Sequence, residues 1–209
     1  MTSNFNLPLV FCLLCLVVLS TWALNNINRN LTFSLIAFTS VLVHSILGIL
    51  AYIHPNRWNR FREISQRSSF ICGVIVVPLV TADLLVIVNC STRWICGLFP
   101  IAIVSLLAKF YSNYMLSKYI LDFAVAVNTM FLIHIRLSLQ AVHWIEGLIV
   151  LIPLNHFGIR RLSQRFDISF IELCSISLFF ITIFSVKSLN EIANHDVLFR
   201  MEMIFEARF

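Results

Sequence analysis

Apolar residues in this chain come in long runs separated by short polar joints. Each run approaches the length a helix needs to cross a bilayer, about 20 residues with a range of roughly 17 to 25. Seven runs predict seven helices, at about 7–24, 31–53, 69–88, 94–112, 118–135, 138–154 and 168–187, with a short polar tail at 188–209. The runs are continuously apolar, whereas a membrane barrel strand alternates over about ten residues, so the fold class predicted is all-α, a polytopic transmembrane helical bundle. Between the fifth and sixth runs only His134, Arg136 and their neighbours mark a joint. One helix from Lys118 to Leu154 would be about 55 Å long at helical rise and would overshoot any bilayer, so a tight hairpin is expected there.

The first run also has the short apolar core of a signal peptide, with Thr21 and Ala23 as small residues before a cleavage point. Met1 to Asn6 lacks the Lys or Arg such a peptide carries, so the run is taken as a span; cleavage would leave six.

Composition agrees with the pattern. The 209 residues are 59% hydrophobic and 12% charged, against about 25% charged in soluble domains. The tail is too short to fold alone, since domains below about 40 residues usually need a staple. A single transmembrane domain over residues 1–209 is therefore expected.

The net charge of +5 is a matter of topology rather than of nucleic-acid binding, because the cations sit in the joints. Assigning the joints alternately to two faces gives one face Arg57, Arg60, Arg62, Arg67, Lys109, Lys118, Arg160, Arg161 and Arg165. The other face receives Arg29, Arg93 and Arg136, with Lys187, Arg200 and Arg208 in the tail. The positive-inside rule then predicts a cytoplasmic amino terminus and an outer or luminal carboxyl terminus, in an endomembrane or the plasma membrane. Two glycosylation sequons, at Asn30 and Asn89, fall on that outer face, each at the very edge of a span. Cys90 and Cys96 flank an outer joint and would pair in an oxidising lumen, whereas Cys12, Cys15, Cys72 and Cys174 lie inside apolar runs. Cys12 and Cys15 have the spacing of half a zinc site without the other half, and no metal or cofactor is predicted.

Ionisable groups inside a span cost about 2.5 to 3.5 kcal/mol each on insertion scales, so each needs a partner, water or a purpose. Asp122 and Glu172 lie four residues into their helices and read as interfacial anchors, Asp122 with Lys118 one turn before it. Asp83, His143 and Glu146 lie deeper, all about 7 to 12 Å below the outer surface at helical rise. His143 and Glu146 share a helical face, and His44 and Asn128 lie nearer the midplane. Such a group relays protons or holds a cation in a transporter, or bonds helices together in a structural bundle.

Ser40 and His44 in the second helix, followed by Asp83 in the third, resemble the opening of the pattern in seven-helix membrane hydrolases such as the alkaline ceramidases. That resemblance covers three residues and would imply a zinc held by histidines and an aspartate. The last helix departs from the family pattern, because Ile168 to Lys187 contains no histidine.

The expectation is a multi-pass membrane protein that serves as a structural, accessory or partner-binding component and not as an enzyme. The alternatives are a small transporter or ion conduit built on Asp83, His143 and Glu146, and then a metal-dependent lipid hydrolase. Its partners are the lipid bilayer and other membrane proteins.

Overall fold

The computed structural model describes residues 7–53, 58–88, 100, 103–104, 107, 114–139, 142–166 and 170–206. Among the described residues every regular element is helical. They are α1 (Leu7–Asn26), α2 (Thr32–Ile53), α3 (Trp58–Ile87), α4 (Tyr114–Ser138), α5 (Trp144–Pro153), α6 (Ile159–Phe166) and α7 (Phe170–Glu206). A π-helical turn, Leu154–Gly158, joins α5 to α6. Five stretches are long and apolar enough to cross a membrane: Leu7–Asn26, Thr32–Ala51, Glu63–Ile87, Lys118–Ser138 and Ile171–Asn194. The sixth predicted span is a shorter apolar helix, Trp144–Gly158, about 22 Å long at helical rise. The fourth, 94–112, lies outside the described residues apart from Pro100, Ile103, Val104 and Leu107, which are helical.

Three predicted boundaries shift, each because polarity marks the edge of a bilayer better than it marks the end of a helix. α3 begins at Trp58 rather than near Ser69. Glu63 and Arg67 form an i,i+4 ion pair at 2.5 Å on its exposed side, while Ser65 is buried, so part of the basic joint is amphipathic helix. α4 continues through His134 and Arg136 to Ser138, whose hydroxyl donates back to the His134 carbonyl at 2.9 Å. The hairpin turn therefore falls after Ser138, ahead of α5 at Trp144. α7 runs unbroken past the predicted span end at 187 to Glu206. No Gly or Pro interrupts that stretch, and Ser188, Leu189 and Ile192 are buried in the bundle.

The core draws on every long helix, with Leu16, Phe38, Leu84, Leu132, Ile145 and Ile181 among its fully buried side chains. The outward faces are apolar as well: Phe11 and Val18 on α1, Ile36 and Val43 on α2, Met130 and Leu137 on α4 are all exposed. A helix that is hydrophobic all round belongs in a large core or in lipid. α7 packs against α1, α3, α5 and α6. Its buried stripe, Ser175, Leu178, Thr182, Ser185, Leu189 and Ile192, recurs every three or four residues. Small hydroxyl residues on such a stripe let backbones approach closely, the role GxxxG motifs fill elsewhere. At Gly147 of α5 the packing is tight, because the Phe184 ring of α7 occupies the place a Cβ would take. Trp144 packs beside the same ring, at 5.6 Å between centroids.

Candidate functional site

The buried polar groups divide by position into fasteners at helix ends and a cluster midway along α2 and α3. An α-helix leaves its first four N–H groups without intrahelical partners. The first i,i+4 bond of α2 runs from the Leu35 amide to the Leu31 carbonyl at 3.1 Å, so Leu31 occupies the capping position and has no side-chain acceptor to offer. Asp83 of α3 fills the gap: its carboxylate accepts from the Ser34 amide at 2.5 Å and also reaches the Phe33 amide. Asp83 is 2% exposed, and its carboxyl oxygens lie at the positive end of the α2 dipole. It caps α2 from a neighbouring helix.

The start of α5 repeats this device. His143 holds the capping position with no side-chain hydrogen bond to the helix. Glu191 of α7 accepts from the His143 and Trp144 amides, at 3.3 Å each, one to either carboxylate oxygen. Glu146, at the third position of α5, is where a capping box would reach back to the cap amide. It turns instead to α4, accepting from Arg136 Nε at 2.7 Å, while Arg136 Nη1 donates to the Leu139 carbonyl at 3.4 Å. Arg136 thus ties both sides of the α4–α5 turn.

At the other end of the same hairpin, His156 Nε2 in the π-helical turn lies 2.6 Å from Asp122 Oδ1 on α4. Asp122 therefore bonds across to His156 rather than along its own helix to Lys118. Two ties at opposite ends, Arg136 to Glu146 and Asp122 to His156, fix α4 and α5 antiparallel.

The midway cluster contains His44, whose Nδ1 lies 2.8 Å from Ser68 Oγ. The Ser68 hydroxyl donates to the Ser65 carbonyl at 2.9 Å. Cys72 donates to the Ser40 carbonyl at 3.3 Å. His44 Nε2 is buried and has no partner among the described residues. Asn128 sits on α4 with its Nδ2 donating to the Ala124 carbonyl at 2.8 Å and its Oδ1 buried without a partner among the described residues.

Of the five polar residues singled out from the sequence, four thus serve four different neighbours and the fifth its own helix. Asp83 bonds to α2, Glu146 to α4, the His143 backbone to α7, His44 to α3, and Asn128 to its own helix. No hydrogen bond links Asp83 to His143 or Glu146 among the described residues. The residues missed are the partners: Glu191, Arg136, His156 and Ser68. Glu191 carried a usable signal, an acid on the apolar side of the supposed tail, one turn beyond Lys187.

Asn30 is exposed in the α1–α2 turn, where its amide donates to Asn28 Oδ1 at 3.1 Å. Asn89, Cys90 and Cys96 lie outside the described residues. Cys12, Cys15, Cys72 and Cys174 are free thiols. Among the described residues no three His, Cys, Asp or Glu side chains group closely enough to share a metal ion. Ser40, His44 and Asp83, the basis of the hydrolase resemblance, are not gathered there around a common ligand position.

These contacts define an all-helical bundle, with five helices apolar and long enough for a bilayer, in which ionisable side chains fasten helix ends. No family model matches the chain, and no curated protein or solved structure matches it.

Proposed function

We propose that this chain is a multi-pass integral membrane protein that acts as a structural or partner-binding component of its membrane, with a cytoplasmic amino terminus and an outer carboxyl terminus. The observation that carries the reading is the engagement of Asp83 with the start of α2. A conduit needs that carboxylate in a hydrated path, whereas a scaffold needs it bonded within the protein. Glu146, Glu191 and Asp122 follow the same rule, each bonded to a neighbouring helix. Together these ties stiffen the bundle at both ends and leave its wide apolar faces for lipid and membrane partners.

Helix directions agree with a chain that changes face from one span to the next. α2 runs antiparallel to α3 through the Ser34–Asp83 and His44–Ser68 contacts, and α5 runs antiparallel to α7 through Gly147–Phe184 and His143–Glu191. α1 packs against both α2 and α7.

Reconstitution into liposomes tests the functional reading. Proton and cation flux should match that of protein-free vesicles for both wild type and Asp83→Asn, with the variant differing only in thermal stability. A wild-type flux that Asp83→Asn abolishes would overturn the scaffold in favour of a conduit.

A further inference from the structure

α6 and the turn before it carry a pattern of charge and exposure that suits neither the inside of the bundle nor open water. From Leu154 to Phe166 the chain has three arginines, Arg160, Arg161 and Arg165, and no acid. Arg161 and Arg165 are both exposed and stand one turn apart on the same face of the helix. About 100° round the axis runs an apolar stripe. Its inner member, Ile159, is buried in the bundle, whereas Leu162 and Phe166 are 36% and 60% exposed. Arg165 and Phe166 adjoin, with the guanidinium 6.0 Å from the ring centroid.

The hairpin fixes the depth of this helix. Asp122 bonds to His156 across the antiparallel pair, and it lies four residues inside the Lys118 end of the apolar stretch of α4. An antiparallel partner therefore draws level with Lys118 about four residues after His156, and Arg161 and Arg165 follow about 2 and 8 Å further out at helical rise. Headgroups add about 5 to 8 Å to each side of the hydrocarbon. Both arginines thus stand at headgroup depth, where the exposed Lys118 adds a third cation. Three arginines are too costly for the hydrocarbon itself, and two exposed apolar side chains are out of place in water.

We propose that α6 binds anionic phospholipid in the leaflet at this edge of the bundle, the cytoplasmic one in the orientation given above. Arg161 and Arg165 hold the headgroup phosphates, which a guanidinium meets bidentately, and Leu162 and Phe166 lie among the uppermost acyl carbons. A zwitterionic headgroup carries a cation of its own and is attracted less. An acidic protein segment would answer the arginines and leave the apolar stripe unexplained. The proposal rests on the bilayer placement above and not on the scaffold role.

Site-specific photocrosslinking of the full chain tests it, in liposomes of equal parts phosphatidylserine and phosphatidylcholine. Benzoylphenylalanine in place of Gln164, which is exposed beside the arginines, should capture phosphatidylserine in preference by about fivefold, the order of one basic residue at an anionic surface. In place of Val43, on the outward face of α2, it should capture both lipids equally. Arg161→Gln with Arg165→Gln should bring the ratio at Gln164 below twofold, and lysine at both positions should preserve it. Equal capture at Gln164, or a preference that survives the two glutamines, would overturn the proposal while leaving the membrane placement intact. A protein adduct in place of lipid at Gln164 in the membranes of the expressing cell would overturn it too. Absence of any lipid adduct at Val43 would remove the membrane placement and the proposal together.

Discussion

Leu31 stands where a helix start usually carries Ser, Thr, Asp or Asn, and Asp83 compensates from another helix. A side-chain cap is worth about 0.5–2 kcal/mol, and the interaction of a buried charge with the helix dipole lies in the same range. Asp83→Ala should therefore lower stability by about 1–2 kcal/mol, read as a drop in the thermal midpoint of the detergent-solubilised protein. Asp83→Asn keeps an oxygen for the Ser34 amide and should lose roughly half as much. If the alanine variant melts with wild type, the cap is not holding α2. At this scale the sequence exposed the anomaly but not its resolution. A carboxylate within an apolar run is conspicuous, yet its partners are the backbone amides of Phe33 and Ser34, and an amide has no letter of its own. His44, Asn128 and Glu146 were legible for the same reason, and Ser68 was passed over because a serine near a helix end is unremarkable.

Between elements, α5 and α7 meet tightly at Gly147. A methyl group there would collide with the body of the Phe184 ring, so Gly147→Ala should cost about 1–3 kcal/mol by overpacking. Gly48→Ala on α2 is the contrasting case, because its new methyl would meet only the tip of the Leu13 side chain, at 2.8 Å. Its effect should be the smaller of the two in parallel thermal unfolding, and the reverse order would contradict the packing described. A double-mutant cycle of Asp122→Asn with His156→Gln should return a coupling of roughly 0.5–1 kcal/mol, since the pair is partly exposed. Hydrophobic runs located the described helices well, but their ends less so. The 58–68 segment and the start of the former tail are polar enough to resemble joints, yet each keeps one buried face, at Ser65 and at Leu189 and Ile192. A helix outlasts its apolar run whenever a neighbour covers that face.

For the molecule as a whole, cation placement makes the prediction. A glycosylation reporter fused after Phe209 should be modified, placing the carboxyl terminus outside, and an unmodified reporter would remove a crossing or invert the bundle. Overall class was legible because lipid imposes one strong rule on every residue it touches. Inter-helix partners were not, because they depend on which helices meet. The two borrowed caps also bear on how the protein is made. Asp83 follows Ser34 by 49 residues, and Glu191 follows His143 by 48. During synthesis each helix start leaves the ribosome well before the acid that completes it. The start of α2 therefore lacks its carboxylate until α3 has been made, and the start of α5 lacks its own until α7 has been made. A chain that stops between such partners keeps bare amides at a helix start, and only the later helix can cover them.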